Sequence, residues 1–143
     1  GLAVAATGLV LGNVLLVGAG TLAEQVLISE MSRKQWQTVI DQDLNGFFNV
    51  VQATLPRLRE WGGGSYVHLG SAGHLQWPPR DVMSVAPKAA TEALITGIAK
   101  EEGRYNIRAN TVLLGVIEAG TGVRCMRGEN PVSVSGGGYD HFA

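Results

Sequence analysis

Val14-Leu15-Leu16-Val17, closed by Gly18-Ala19-Gly20, is the stretch on which the fold reading turns. Four consecutive apolar residues leave no polar face, so a strand with this pattern is buried on both sides, as strands of parallel sheets are. Upstream the chain is uncharged back to Gly1, and the first charge comes at Glu24. A span of that length suffices for a membrane helix. Gly1, Thr7, Gly8, Gly12, Asn13, Gly18, Gly20 and Thr21 dilute it, however, and no basic flank sets an orientation. No positive region precedes the apolar run, as a secretory leader requires. The expectation is a buried strand and glycine turn in a cytoplasmic protein.

Downstream the period changes. Ser32 and Gln35 have capping-box spacing, and Trp36, Ile40, Leu44, Phe47, Phe48, Val51, Leu55 and Leu58 then recur at three- and four-residue steps. This predicts a long helix that Pro56 kinks or ends. Gly62-Gly63-Gly64 reads as a loop and Tyr66 to Gly70 as a second strand. Asp81 or Ser84 caps a further helix, with Ala90, Ala93, Leu94, Gly97 and Ile98 on one small-residue face and Gly103 at its end. Ile107 to Leu114 is a third strand. Strand, helix, strand, helix, strand predicts an α/β fold, a Rossmann-like doubly wound parallel sheet. One domain is expected over residues 1–143, with its core over 13–120 and an irregular glycine-rich tail over 121–143.

Composition narrows the function. Twelve acidic and eleven basic residues give a net charge of −1, which argues against nucleic acid or an anionic membrane as partner. The single cysteine, Cys125, excludes an internal disulfide framework and a cysteine-based zinc cluster, and no metal site is expected. Glycine is abundant, 20 of 143 residues, about twice its usual share. The chain starts at Gly1 and not at Met, so a fragment or processed product is expected.

From Val14 to about Gly120 the sequence resembles the short-chain dehydrogenase/reductase family. Val14 to Gly20 is similar to that family's strand ending in Asn-Asn-Ala-Gly, and Asp41-Gln42-Asp43-Leu44-Asn45-Gly46-Phe47-Phe48 to its long-helix motif, with Asp43 at the asparagine position. Tyr66 to Gly73 matches the strand that delivers the catalytic serine, here Ser71. Ser84-Val85-Ala86-Pro87-Lys88 falls on the Tyr-x-x-x-Lys motif, and Asn106 to Asn110 with Leu114-Gly115-Val116-Ile117 on the strand and loop flanking the cofactor. The resemblance implies carbonyl reduction or alcohol oxidation with NAD or NADP. It implies catalytic positions Ser71, Ser84, Lys88 and Asp43, and cofactor contacts from Gly18, Ala19, Gly20, Lys88, Gly115 and Ile117. It also implies a small carbonyl or alcohol substrate and a homo-oligomer paired through the two long helices.

The departures bear on activity. The family's Thr-Gly-x-x-x-Gly-x-Gly phosphate loop is not found, since Thr7-Gly8 and Gly12 lie too close to Gly18 to form it in place. The family's C-terminal helices and last strand are likewise not matched. Ser84 stands for the tyrosine, Asp43 for the helix asparagine and Leu114 for the proline of the cofactor loop. Carbonyl reduction needs a proton donor for the developing alkoxide, and an aliphatic hydroxyl is shorter and far less acidic than a phenol. Pro87 lacks an N–H and fits a first helical turn, which suggests Ser84 as N-cap instead of acid. Tyr105 is the first phenol that follows Ser84 in sequence, beyond the helix. Asp43 is expected either on an exposed turn or beside Lys88, where it draws the lysine from a ribose. An impaired oxidoreductase is the first reading, and a non-catalytic binding or oligomerisation module the second.

Two other patterns compete. Gly18-Ala19-Gly20-Thr21-Leu22-Ala23 fits G-x-G-x-x-A, with Asp41 as ribose carboxylate at the end of a strand over residues 38–40; the helical period from Trp36 opposes it. Ser71 with His68 and His74 suggests hydrolysis, but Leu69 breaks the G-x-S-x-G elbow.

Overall fold

The computed structural model describes residues 7–11, 14–18 and 24–115; Ala19, Gly20, Ile117 and the 121–143 tail lie outside them. The three predicted strands are present as β2 (Val14–Gly18), β3 (Gly64–Ser71) and β4 (Ile107–Leu114). They are parallel, with Val14 opposite Ser65 and Gly64 opposite Ile107. A further strand, β1 (Thr7–Leu11), pairs antiparallel with β2, so the sheet order is β1-β2-β3-β4. Gly12-Asn13 between two apolar runs was the available hairpin signal for β1.

The long helix begins where Ser32 and Gln35 predict. The Ser32 Oγ accepts from the Gln35 amide at 3.2 Å, and the Gln35 side chain accepts from the Ser32 amide at 2.8 Å. The helix runs as α1 (Arg33–Val39), a π-helical segment (Ile40–Asn45) and α2 (Gly46–Glu60). The wider π turn shifts the apolar stripe relative to a regular 3.6-residue period. Val39, Phe47, Val51 and Leu58 are buried, while Trp36 and Phe48 lie on the exposed side. Pro56 neither ends nor breaks the helix, which continues to Glu60. Pro56 and Gln52 both face solvent, so the Gln52 carbonyl deprived of its N–H partner has water within reach.

β3 leads through α3 (Gly73–Gln76) into α4 (Val82–Glu102). Asp81, and not Ser84, occupies the N-cap position, and Pro87 lies in the second turn and not the first. The small-residue face of α4 is divided: Ile98 joins the core and Leu94 packs against it, whereas Ala90 and Ala93 are exposed. Gly103 stays right-handed and opens a 3-10 turn, and the chain reverses at Asn106, with φ 61°. One cluster holds Leu15, Phe47, Val51, Tyr66, Ile95 and Ile107, so α2 and α4 share one sheet face. Tyr66 is fully buried; its hydroxyl lies 2.8 Å from Thr54 Oγ1, and burial pushes its pKa up.

At the far end of these helices Arg59 donates two bonds to Glu102, at 2.7 and 2.6 Å, and stacks 4.5 Å over the Tyr105 ring. The hydrogen bond from Arg59 holds the Glu102 carboxyl below its usual range. Beside this clamp Gly63 takes φ +135°, and an added Cβ would lie 2.5 Å from the Asn106 carbonyl oxygen. Gly63→Ala should therefore cost about 1–3 kcal/mol, read as a lowered urea midpoint with unchanged slope. Among the described residues no helix is long and apolar enough to cross a membrane.

Candidate active site at the strand carboxyl ends

Parallel strands that step in one direction leave their carboxyl ends along one edge, where the loops open a crevice. Gly18 ends β2 and Ser71 ends β3, and Ser71 lies opposite Leu114, one residue before Gly115. The main chain turns sharply after Ser71, whose Oγ accepts from the Gly73 amide at 3.1 Å. A Cβ on Gly73 would lie 2.8 Å from Val85 Cγ2, 3.0 Å from Ser71 Oγ and 3.7 Å from Asp81 Oδ2. Only glycine lets the turn sit so close to α4, and the Ser71 hydroxyl and Asp81 carboxylate flank the same point.

The first turns of α4 face this point. Ser84 and Lys88, four residues apart, share a helix face, and Lys88 Nζ donates to the Ser84 carbonyl at 3.1 Å and to Ser84 Oγ at 3.2 Å. The role suggested for Ser84 as a cap is thus replaced by that of an anchor for the lysine. Burial lowers the Lys88 pKa, opposed by the negative charges of Asp43 and Asp81. Burial likewise raises the Asp81 carboxyl, opposed by Lys88. Asp43, carried by the π segment, is 4% exposed, which overturns the exposed-turn expectation and puts its charge within range of Lys88. His68 lies on β3, with Nδ1 3.3 Å from Thr111 Oγ1 and its ring edge-on to Phe47. Burial, with a smaller contribution from Lys88, lowers its pKa to about 4, so the ring is neutral at pH 7.

Lys88 therefore has Ser84 in contact and the charges of Asp43 and Asp81 within range, while Ser71 and Asp81 meet at Gly73. Asp81 was read only as a cap, because no spacing rule links a helix N-terminus to a strand end folded against it. Other candidates are dispersed. Tyr105 follows the last turn of α4, while Ser84 and Lys88 lie in its first two, roughly 25 Å along the axis. Residues 38–40 are helical, and Asp41 accepts instead from Gln37 and Asn45 on its own helix, at 3.0 and 2.8 Å. The ribose-carboxylate reading of Asp41 fails with that strand. His68 pairs with Thr111, and His74 Nε2 lies 3.4 Å from Glu92, which takes both rings away from a hydrolytic arrangement with Ser71.

A sequence profile described as Enoyl-(Acyl carrier protein) reductase matches residues 10–131. The 3-oxoacyl-[acyl-carrier-protein] reductase of Thermotoga maritima is 33% identical over 106 residues, which cover 74% of this chain and 43% of that protein. An NAD-dependent oxidoreductase of Mycobacterium tuberculosis is 36% identical over 84 residues, 58% of this chain and 30% of its own length. Among solved structures, an oxidoreductase of the short chain dehydrogenase/reductase family from Burkholderia thailandensis superposes with a TM-score of 0.70 at 26% identity, covering 80% of this chain and 45% of that one. The chain spans less than half the length of these relatives.

Proposed function

The chain belongs to the short-chain dehydrogenase/reductase family, and from that premise we propose that its site is built for nicotinamide-dependent oxidoreduction of a small carbonyl or alcohol, impaired by serine at the tyrosine position. The observation that carries this reading is the Lys88–Ser84 pair in the first turns of α4, the helix whose Val85 and N-cap Asp81 flank Gly73 beside Ser71.

A ribose diol needs a cation or donor at close range, and the Lys88 ammonium, half-buried between two carboxylates, fits that need. Gly18 at the end of β2 and Gly115 after β4 would let the main chain approach the dinucleotide. When bound, the reduced nicotinamide supplies the hydride. The Gly73 amide occupies a lone pair of Ser71 Oγ, so the hydroxyl hydrogen is available to the substrate oxygen. Ser84 Oγ accepts from Lys88 and can relay only a weakly acidic proton, which is the origin of the impairment.

The second reading, a non-catalytic binding or homo-oligomerisation module, is favoured by the outer side of the helices. Ala90 and Ala93 are exposed, Gly97 has open space beside it and Phe48 is 45% exposed. Titration with NADH and with NADPH, followed by fluorescence, separates the two readings. The oxidoreductase reading expects saturable binding that Lys88→Met weakens roughly tenfold or more. Absence of binding by a folded, self-associated parent chain would leave the module reading.

A further inference from the structure

Trp77 and Arg80 both adopt left-handed backbone conformations, with φ 51° and 68°. Side chains with a Cβ resist that region, which glycine, asparagine and aspartate occupy far more readily. The two residues bracket Pro78-Pro79, and the Asp81 amide donates to the Pro78 carbonyl at 3.3 Å. That closes a turn with Arg80 third, the position where a positive φ calls for glycine. The Trp77 amide is tied back to the Gly73 carbonyl at 2.6 Å. Strain of this kind persists where the surroundings impose it, and it concentrates at ligand sites.

Both strained residues line one hollow. It encloses about 570 Å³ between the 77–85 segment and residues 27–29, within the range of small-molecule sites. Leu27, Ile28, Trp77, Val82 and Val85 make it apolar, and Arg80 is the charged residue in its wall. Val85 is also the residue against which Gly73 packs, so the hollow adjoins the Ser71 turn. Among the described residues no ion pair joins Arg80 to a carboxylate. A guanidinium in an apolar wall is complementary to an anion, and an indole face to a flat or extended apolar body.

We infer that this hollow binds the substrate of the proposed site, and that the substrate is an apolar-bodied organic anion whose acid group pairs with Arg80 while its chain lies along Trp77 and Ile28. The inference rests on the oxidoreductase reading for the carbonyl but not for the binding itself. The test uses the whole chain and isothermal titration with decanoate, decyl phosphate and neutral 1-decanol, all below micellar concentrations. At least one of the anions should bind tenfold or more tighter than decanol, and the anion preferred identifies the acid group. Arg80→Gln should remove that advantage and leave decanol unchanged. Arg80→Gly should lose it too while raising the melting temperature, since glycine relieves the left-handed strain. Equal binding of anions and alcohol, or undiminished anion binding by a folded Arg80→Gly chain, overturns the inference. NADH titration of the same samples separates the two ideas: cofactor binding without anion selectivity sinks only the anion pocket, and selectivity without cofactor binding sinks only the oxidoreductase reading.

Discussion

Ser84→Tyr should raise the rate of NADH- or NADPH-dependent reduction of a simple ketone by about two to four orders of magnitude, the usual worth of a positioned proton donor. A phenol is unperturbed near pKa 10, and a neighbouring ammonium lowers it toward the working pH. Lys88 is already held at this position, with Nζ 3.1 Å from the residue 84 carbonyl, a contact that does not depend on the side chain replaced. The phenol would reach beyond the serine oxygen, from the helix whose Val85 and N-cap Asp81 flank Gly73 beside Ser71. Single-turnover reduction, followed at the nicotinamide absorbance in samples shown to bind the cofactor, measures the effect. Equal rates for parent and variant in such samples would overturn the assignment of Ser84 to the tyrosine position.

Acid should destabilise the fold through His68. Its pKa is about 4 in the folded chain, against the 6.5 of an unperturbed histidine, so between these values the unfolded chain binds more protons. The stabilisation from the neutral ring is complete above pH 6.5 and is lost as pH falls through the window to about 4. At 1.36 kcal/mol per pH unit the full loss is ~3 kcal/mol. Lys88 adds to the effect by repelling a protonated ring, and Asp81 works against it, because its raised pKa favours proton uptake by the folded state. Glu102, held low by Arg59, loses its contribution only further into acid, below its ordinary 4.5. Urea midpoints between pH 7 and 4 should therefore fall steeply for the parent chain and much less for His68→Gln, which keeps a polar group for Thr111 without the titration. The same slope in both proteins would remove His68 as the cause.

Periodicity was enough for the elements with regular patterns. Val14 to Val17, Tyr66 to Gly70 and Ile107 to Leu114 are strands, and the Ser32–Gln35 box starts a helix, because these depend on local alternation and capping. The order of motifs also set Ser71 at the end of β3 and Ser84 with Lys88 in the first turns of α4, the long helix that follows it. Local patterns were silent where a distant partner decides. The π segment buries Asp43 where a regular helical reading allowed an exposed turn, and its charge then acts on a lysine 45 positions away in sequence. Asp81 joins the site only because Gly73 lets the turn after β3 sit against α4. The neutrality of His68 comes from burial on β3, and the left-handed Trp77 and Arg80 come from a double-proline turn closed against α3 and α4. By itself the sequence determined three strands, the two long helices between them and the line of motif residues, all carried by local patterns along the chain. Only the tertiary structure decided which groups are desolvated and which charges face one another, because burial and Coulomb energy depend on distances in space between residues far apart in the chain.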